Sequence, residues 1–388
     1  MKRLLIIFIA LFFLAQAAIA SELKVLTFNT WGISDGRYKK ERFGIIPGAV
    51  AELSPDIIIF QEVFEEWERK ELKADLIKAG YPADGFRYFP LRYGTGVFVV
   101  SRFPITDERF EPYQAFKWPE NKESLGRGMA VLRIQTPGGD ILLATTHITP
   151  GNLADLKRSE GMLEFYEIAK LLFEQSAKTG VRNLIMAGDL NSDPPKMIYH
   201  IFPALTGFQN AYSFLHNGQF APTNDRRENP NTIMGIEAID HILFGNLPGA
   251  ASGLVPKTAQ VVLNHAFKAA DGKEYFLSDH FGMMAVFDWS AQAPQIKNAP
   301  IELNPQLSAD EKSWLLNNLK PGADFVVKKE LWTRLGLAIL SDQDQSHKRD
   351  ASLIRTADRL LIGLSGDQQF KASGKDIKIL RKWLETKK

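Results

Sequence analysis

Oxygen-bearing and imidazole side chains recur at one kind of place in this sequence, the end of a short apolar run. Asn29 follows Leu23-Lys24-Val25-Leu26-Thr27-Phe28, and Glu62 follows Ile57-Ile58-Ile59-Phe60-Gln61. His147 follows Ile141-Leu142-Leu143-Ala144-Thr145-Thr146, and Asp189 and Asn191 follow Leu184-Ile185-Met186-Ala187-Gly188. Asp240 and His241 stand inside Ile239-Asp240-His241-Ile242-Leu243-Phe244, and Asp279 and His280 precede Met283-Met284-Ala285-Val286-Phe287. These types suit hydrolysis of a phosphate ester. A hard cation such as Mg²⁺ (or Mn²⁺) takes oxygen ligands and keeps several waters, so a carboxylate and an amide suffice, and Glu62 and Asn29 can supply them. A phosphoryl transition state spreads negative charge over its oxygens, which Asn191, His147 and the metal can stabilise. The attacking water needs a base near neutral pH, a role for His280, whose tautomer either Asp240 or Asp279 can hold. Taken singly, each residue has an ordinary reading as a cap, an Asx turn or a satisfied structural histidine. The ordered set does not.

Convergence of these groups requires that the apolar runs be strands of sheets sharing one edge, where a rigid scaffold meets solvent. The runs named above, with 97–100 and 130–134, read as strands, some alternating and some continuously apolar. Pro137-Gly138-Gly139-Asp140 marks a hairpin turn. Helices are expected over 42–53, 65–79 and 155–176. Many strands with interspersed helices imply an α/β (α+β) sandwich of two packed sheets flanked by helices. No strand is expected between Arg102 and Gly126, an excursion that carries Phe110, Tyr113, Phe116 and Trp118.

Phe28-Asn29-Thr30-Trp31-Gly32, Gln61-Glu62-Val63, Thr146-His147, Gly188-Asp189-Leu190-Asn191, Ile239-Asp240-His241 and Leu277-Ser278-Asp279-His280 resemble, in order, the motifs of the deoxyribonuclease-I-like endonuclease/exonuclease/phosphatase superfamily. The resemblance covers about residues 23–288. It implies a four-layer sandwich with the site at one edge of the two sheets, and a metal held by Glu62 and Asn29. It further implies that Asp189 and Asn191 orient water and phosphate, that His147 stabilises phosphoryl oxygens, and that His280 is a base paired with a carboxylate. Asn29-Thr30-Trp31-Gly32 and the segment from Gly94-Thr95-Gly96 to Pro104-Ile105 are most similar to the neutral sphingomyelinase branch, where Arg127 in Gly126-Arg127-Gly128 would contact phosphate. His241 stands where that branch usually has Tyr.

The remaining features bound the setting. Lys2-Arg3, the apolar run 4–14 and Ala18-Ile19-Ala20 make residues 1–20 an export signal, with cleavage expected between Ala20 and Ser21 and a secreted or periplasmic product. The catalytic domain is expected over 21–290, a linker over 291–300, and a small helical domain over 301–388. The formal charge is +2 for the whole chain, about −4 for 21–300 and +4 for 301–388. A basic groove dominates affinity for nucleic acid, so the acidic catalytic part favours a lipid phosphodiester at a membrane surface over nucleic acid, the alternative partner. A non-catalytic module is disfavoured because the full residue set is present. The aromatic excursion can dip Trp118, Phe116 and Tyr113 into a headgroup layer. The 366–388 stretch has an apolar face of Ile377, Ile379, Leu380, Trp383 and Leu384, suited either to packing on its own domain or to docking on a membrane.

Overall fold

The computed structural model describes residues 22–33, 37–89, 95–113, 127–150, 155–233, 235–296, 305–320, 329–346, 350–365 and 373–387. Residues 1–20, read from the sequence as an export signal, and Phe116 and Trp118 lie outside these residues. Two six-stranded mixed sheets form the centre. The first runs, in spatial order, β13 (Gly253–Val262), β16 (Gly282–Ser290), β1 (Leu23–Asn29), β2 (Ile57–Gln61), β4 (Phe98–Ser101) and β3 (Phe86–Tyr88). The second runs β5 (Ile105–Pro112), β6 (Gly128–Thr136), β7 (Gly139–His147), β8 (Asn183–Asp189), β12 (Asp240–Asn246) and β9 (Gln209–Asn210), and two short ribbons pair β10 (Asn224–Asp225) with β11 (Ile236–Glu237) and β14 (Phe267–Lys268) with β15 (Glu274–Tyr275). β1 pairs parallel with β2, and β7 with β8; the other neighbours are antiparallel.

Strand periodicity sorts the apolar residues into layers. Val25, Ile57, Ile59, Val99, Leu143, Ile185, Ile242 and Ala285 fill the gap between the sheets. The alternate set on the first sheet, including Leu26, Phe28, Ile58 and Phe60, packs under α1 (Lys39–Leu53) and α2 (Glu66–Lys78). On the second sheet Val131, Leu142, Ala144 and Met186 pack under α3 (Asp155–Thr179) and α4 (Ile201–Thr206). Central strands covered on both faces carry no polar alternation, which is why they read as continuous apolar runs. The result is the four-layer sandwich expected from the sequence.

Two expectations change, and one strand was not expected at all. The 102–126 excursion is not all loop: β5 pairs with β6 along the edge of the second sheet. Its charged, half-exposed side chains hide the strand signal, and Phe110 stacks on Phe89 with ring centroids 5.4 Å apart. Tyr113 is 4% exposed and its hydroxyl donates to Thr146 Oγ1 at 2.7 Å, so it cannot enter a headgroup layer. β13 escapes notice because Pro256 interrupts it. The structure accommodates that proline at a register shift between Pro256 and Thr258, on the edge of its sheet.

The C-terminal helices are α6 (Ala309–Asn318), α7 (Lys329–Gln345), α8 (Ala351–Ser365) and α9 (Gly374–Thr386). Ser308 caps α6 by accepting from Glu311 N while the Glu311 carboxylate accepts from Ser308 N. Leu340, Leu360, Leu380 and Leu384 share one core with Phe165 and Phe202, so these helices add a layer outside α3 and α4. Ile377, Leu380, Trp383 and Leu384 are buried where α9 packs on its neighbours α8 and α6. The apolar face of α9 is thus spent on packing rather than on a membrane.

Asp358 on α8 is fully buried, and neither carboxylate oxygen has a hydrogen-bond partner among the described residues. Burial pushes its pKa well above the ordinary 3.8. The folded state therefore binds this proton more tightly than the unfolded chain does. The stability it confers is full at acid pH and is lost as pH rises through the folded pKa. Asp358→Leu should raise stability by about 1–3 kcal/mol at pH 7.5, and the gain should shrink toward pH 4. Urea midpoints at both pH values test this, and a lower midpoint at pH 7.5 would show that the carboxylate is compensated.

Candidate active site

The face that lies between the sheets also carries the polar groups. Val25 and Thr27 lead to Asn29 on β1, Leu143 and Thr145 to His147 on β7, and Ile185 and Ala187 to Asp189 on β8. On β12 the same face begins at Asp240 and continues through Ile242 and Phe244. In register, Asp189 stands opposite His147 on one side and Asp240 on the other. One row of side chains thus crosses the second sheet, facing Asn29 of the first.

Glu62 needs a further device. Continued alternation would send it to the helix side with Ile58 and Phe60, but its φ of 60° turns the chain. Its Oε1 then accepts from Asn29 Nδ2 at 3.2 Å. Gly32 and Gly96 make room for this turn. A Cβ at Gly32 would lie 1.9 Å from the Glu62 carbonyl oxygen, and one at Gly96, where φ is 71°, would lie 2.5 Å from the Phe64 ring.

Asp189 is the hub. Its Oδ2 accepts from Asn29 Nδ2 at 2.9 Å and lies 3.3 Å from His147 Nε2 and 4.0 Å from His280 Nε2. Its Oδ1 accepts from Asn191 N at 2.9 Å, holding Asn191 at φ 45°. Burial alone would raise the Asp189 pKa, but His147, His280 and the Asn29 amide outweigh it and hold it below the usual carboxylate range. His280 Nδ1–H donates to Asp240 Oδ2 at 2.8 Å. Burial would lower the His280 pKa, yet the carboxylates of Asp240, Asp279 and Asp189 hold it well above the ordinary 6.5. His147 goes the other way: burial and the Arg127 cation push it down to about 4, so its imidazole is neutral.

Of the two carboxylates considered as partners of His280, Asp240 makes the bond. Asp279 instead accepts from Ser278 Oγ at 3.2 Å and contributes charge to the Glu62 side. Burial and then the Asp279 carboxylate raise the Glu62 pKa to about 7. Glu62 Oε2 is shielded from solvent and has no hydrogen-bond partner among the described residues. An orphaned hard oxygen beside a second carboxylate fits a divalent cation of the Mg²⁺ or Mn²⁺ kind. Asp189, Asp240 and His280 also offer ligand atoms within 4.8 Å of one another. Their bonds to each other, to Asn29 and to His147 suit a proton relay better than a cage.

Two residues that hold the site, Asn229 and Thr232, were not anticipated from the sequence. Asn229 Nδ2 donates to Ser278 O at 2.9 Å, and Thr232 Oγ1 donates to Asp279 O, fastening the loop that carries His280. His241 points to the helix side of β12, where Nε2 is 2.9 Å from Ser192 O and Nδ1 is 3.0 Å from Asn210 Nδ2. It therefore props the Asn191 loop from behind. Arg127, expected from the resemblance to contact phosphate, donates from Nη1 to the carbonyls of His147 and Ile148 at 2.8 and 2.7 Å and so fixes the end of β7. No sequence motif announces such contacts, because each joins segments distant along the chain.

The model of the Endonuclease/Exonuclease/phosphatase family matches residues 26–280, and the chain belongs to that family of hydrolases. An inositol phosphosphingolipids phospholipase C of Schizosaccharomyces pombe is 28% identical over 221 residues, 54% of this chain and 49% of that protein. The chain thus spans about half the length of that relative. Among solved structures, SmcL has a TM-score of 0.52 at 20% identity, covering 69% of this chain and 99% of its own. D. rerio TDP2 complexed with a single-strand DNA product has a TM-score of 0.53 at 16% identity, with coverages of 69% and 99%. These two likenesses show the fold. The superfamily read from the ordered motifs is the one to which the chain belongs.

The geometry separates the two carboxylates near His280. Asp240→Asn and His280→Ala should each lower kcat on a soluble phosphodiester by about 10²–10⁴-fold with unchanged circular dichroism. Asp279→Asn should cost less than Asp240→Asn at saturating cation. Steady-state kinetics of the three variants test the assignment, and a larger loss for Asp279→Asn would reverse it.

Proposed function

We propose that the protein is an exported, Mg²⁺-dependent phosphodiesterase of the phospholipase C type, cleaving a sphingolipid or phospholipid phosphodiester at a membrane surface. The observation that carries the reading is the pairing of a base with a cation ligand across Asp189. On one side stands His280, oriented by Asp240; on the other is the shielded Oε2 of Glu62. A bound divalent cation, held by Glu62 and Asn29, would stabilise phosphoryl oxygens and offset the carboxylates that hold the His280 pKa high. With its Nδ1 hydrogen given to Asp240, His280 takes the water proton at Nε2. Asp189 lies near enough to align that water, and Asn191 and the neutral His147 stabilise charge on the phosphoryl oxygens. Water oxygen bonds to phosphorus, the bond from phosphorus to the lipid oxygen breaks, that oxygen takes a proton from solvent to leave as the lipid alcohol, and the phosphorylated headgroup is released.

The lipid class is supported by the phosphosphingolipid phospholipase among the relatives and by the acidic balance of residues 21–300, which disfavours a polyanion. A nuclease on the same fold is the second reading, favoured by the likeness to a DNA-bound structure. Export rests on the pattern of residues 1–20, and the mature product is expected to begin at Ser21 by N-terminal sequencing.

Activity should vanish on exhaustive chelation and return with Mg²⁺ or Mn²⁺. Glu62→Gln should shift the cation requirement upward by about tenfold or more, as expected when a charged ligand is removed. Retained activity after chelation would refute metal dependence.

A substrate panel of sphingomyelin, phosphatidylcholine, inositol phosphosphingolipid and plasmid DNA separates the two readings. Trp118→Ala combined with Phe116→Ala should lower cleavage of lipid vesicles far more than that of a nitrophenyl phosphodiester. Cleavage of DNA with none of any lipid would replace the lipid reading with the nuclease.

A further inference from the structure

Arg42 lies on α1, away from every motif that marks the site, yet it is one of the largest fully buried side chains of the protein. Its guanidinium makes four hydrogen bonds, all to backbone carbonyls. Nε donates to Arg37 O at 2.8 Å, Nη1 to Thr30 O at 2.7 Å and to Leu277 O at 2.8 Å, and Nη2 to Trp31 O at 2.9 Å. The Trp31 ring covers it, with the guanidinium carbon 4.9 Å from the ring centroid. Among the described residues no carboxylate lies within ion-pair distance, but Asp279, Glu62 and Glu68 surround the cation at longer range.

The acceptors identify what this side chain does. Thr30 and Trp31 follow Asn29, and Asn29 Oδ1 accepts from Trp31 N at 2.9 Å. Leu277 begins the segment that carries Asp279 and His280. The planar fork therefore ties the end of β1 to the loop before β16, two segments of the same site, by way of a bond from Arg42 to Leu277 that spans 235 residues. It also places a fixed positive charge behind Glu62 and Asp279, which would otherwise repel each other with little solvent between them. A lysine would keep the charge and lose the fork.

We propose that Arg42 is a positioning residue for the reaction: it sets the spacing of Asn29, Glu62 and Asp279 that a divalent cation requires, and through Leu277 the placement of His280. The inference rests on the reading of Glu62 and Asn29 as cation ligands. It is tested on the full exported protein by Mn²⁺ titration calorimetry, read beside kcat and KM on a soluble nitrophenyl phosphodiester. Arg42→Lys should fold, weaken Mn²⁺ binding by about tenfold or more and lower kcat by about a hundredfold, with KM changed by less than about threefold. Trp31→Leu leaves all four carbonyl acceptors in place and removes only the covering ring. It should move the same two quantities in the same direction by smaller factors, and it decides the matter if Arg42→Lys does not fold. Wild-type Mn²⁺ affinity and kcat in a folded Arg42→Lys, or in Trp31→Leu where the lysine variant fails to fold, would reduce Arg42 to a structural role. Absence of Mn²⁺ binding in the wild type would instead overturn the cation reading itself.

Discussion

Asp189 is a carboxylate buried where two sheets approach each other, and the candidate site is arranged around keeping it charged. Burial penalises that charge, so donors must converge on it: the Asn29 side-chain amide from the first sheet, His147 from β7 and the backbone N–H of Asn191 from its own turn, while the His280 ring, 4.0 Å away in the loop before β16, adds charge. Asn29 and His147 can reach it only because their strands end at the same edge and present these side chains to the gap between the sheets. The register of β7, β8 and β12 is thereby constrained, since a slip of one residue would send His147 or Asp240 to the helix side.

The same buried field splits the chemistry of the two histidines. His147 is buried, with the Arg127 cation on its flank, and is kept neutral, which suits it to stabilise charge without exchanging a proton. His280 has three carboxylates around it and is kept basic. Opposite electrostatic settings within one pocket are how a fold assigns distinct roles to like groups. Glu62 occupies the third setting, a carboxylate short of partners, where an added cation relieves rather than creates strain.

The C-terminal helices belong to this architecture as packing. They cover α3 and α4, the helices that back the second sheet, and so bury apolar surface that would otherwise face water. Their amphipathic pattern looked alike for a packed helix and a membrane-docked one, because a helix face records only that something apolar covers it. For α9 the cover is its own neighbours, α6 and α8.

By itself the sequence determined the layers, most strands and the identity of the polar groups at their ends, because these depend on local periodicity and on residue types at strand termini. It did not reveal β5 or β13, whose charged or proline-containing edge positions lack the central-strand signal. Nor did it choose Asp240 over Asp279, since the choice rests on a bond between positions 40 residues apart. Arg42 gave no sign of itself for the same reason: a buried arginine and a surface arginine on a helix are one letter in the chain. What holds a site in place is a set of long-range contacts, and only the tertiary structure brings their partners together.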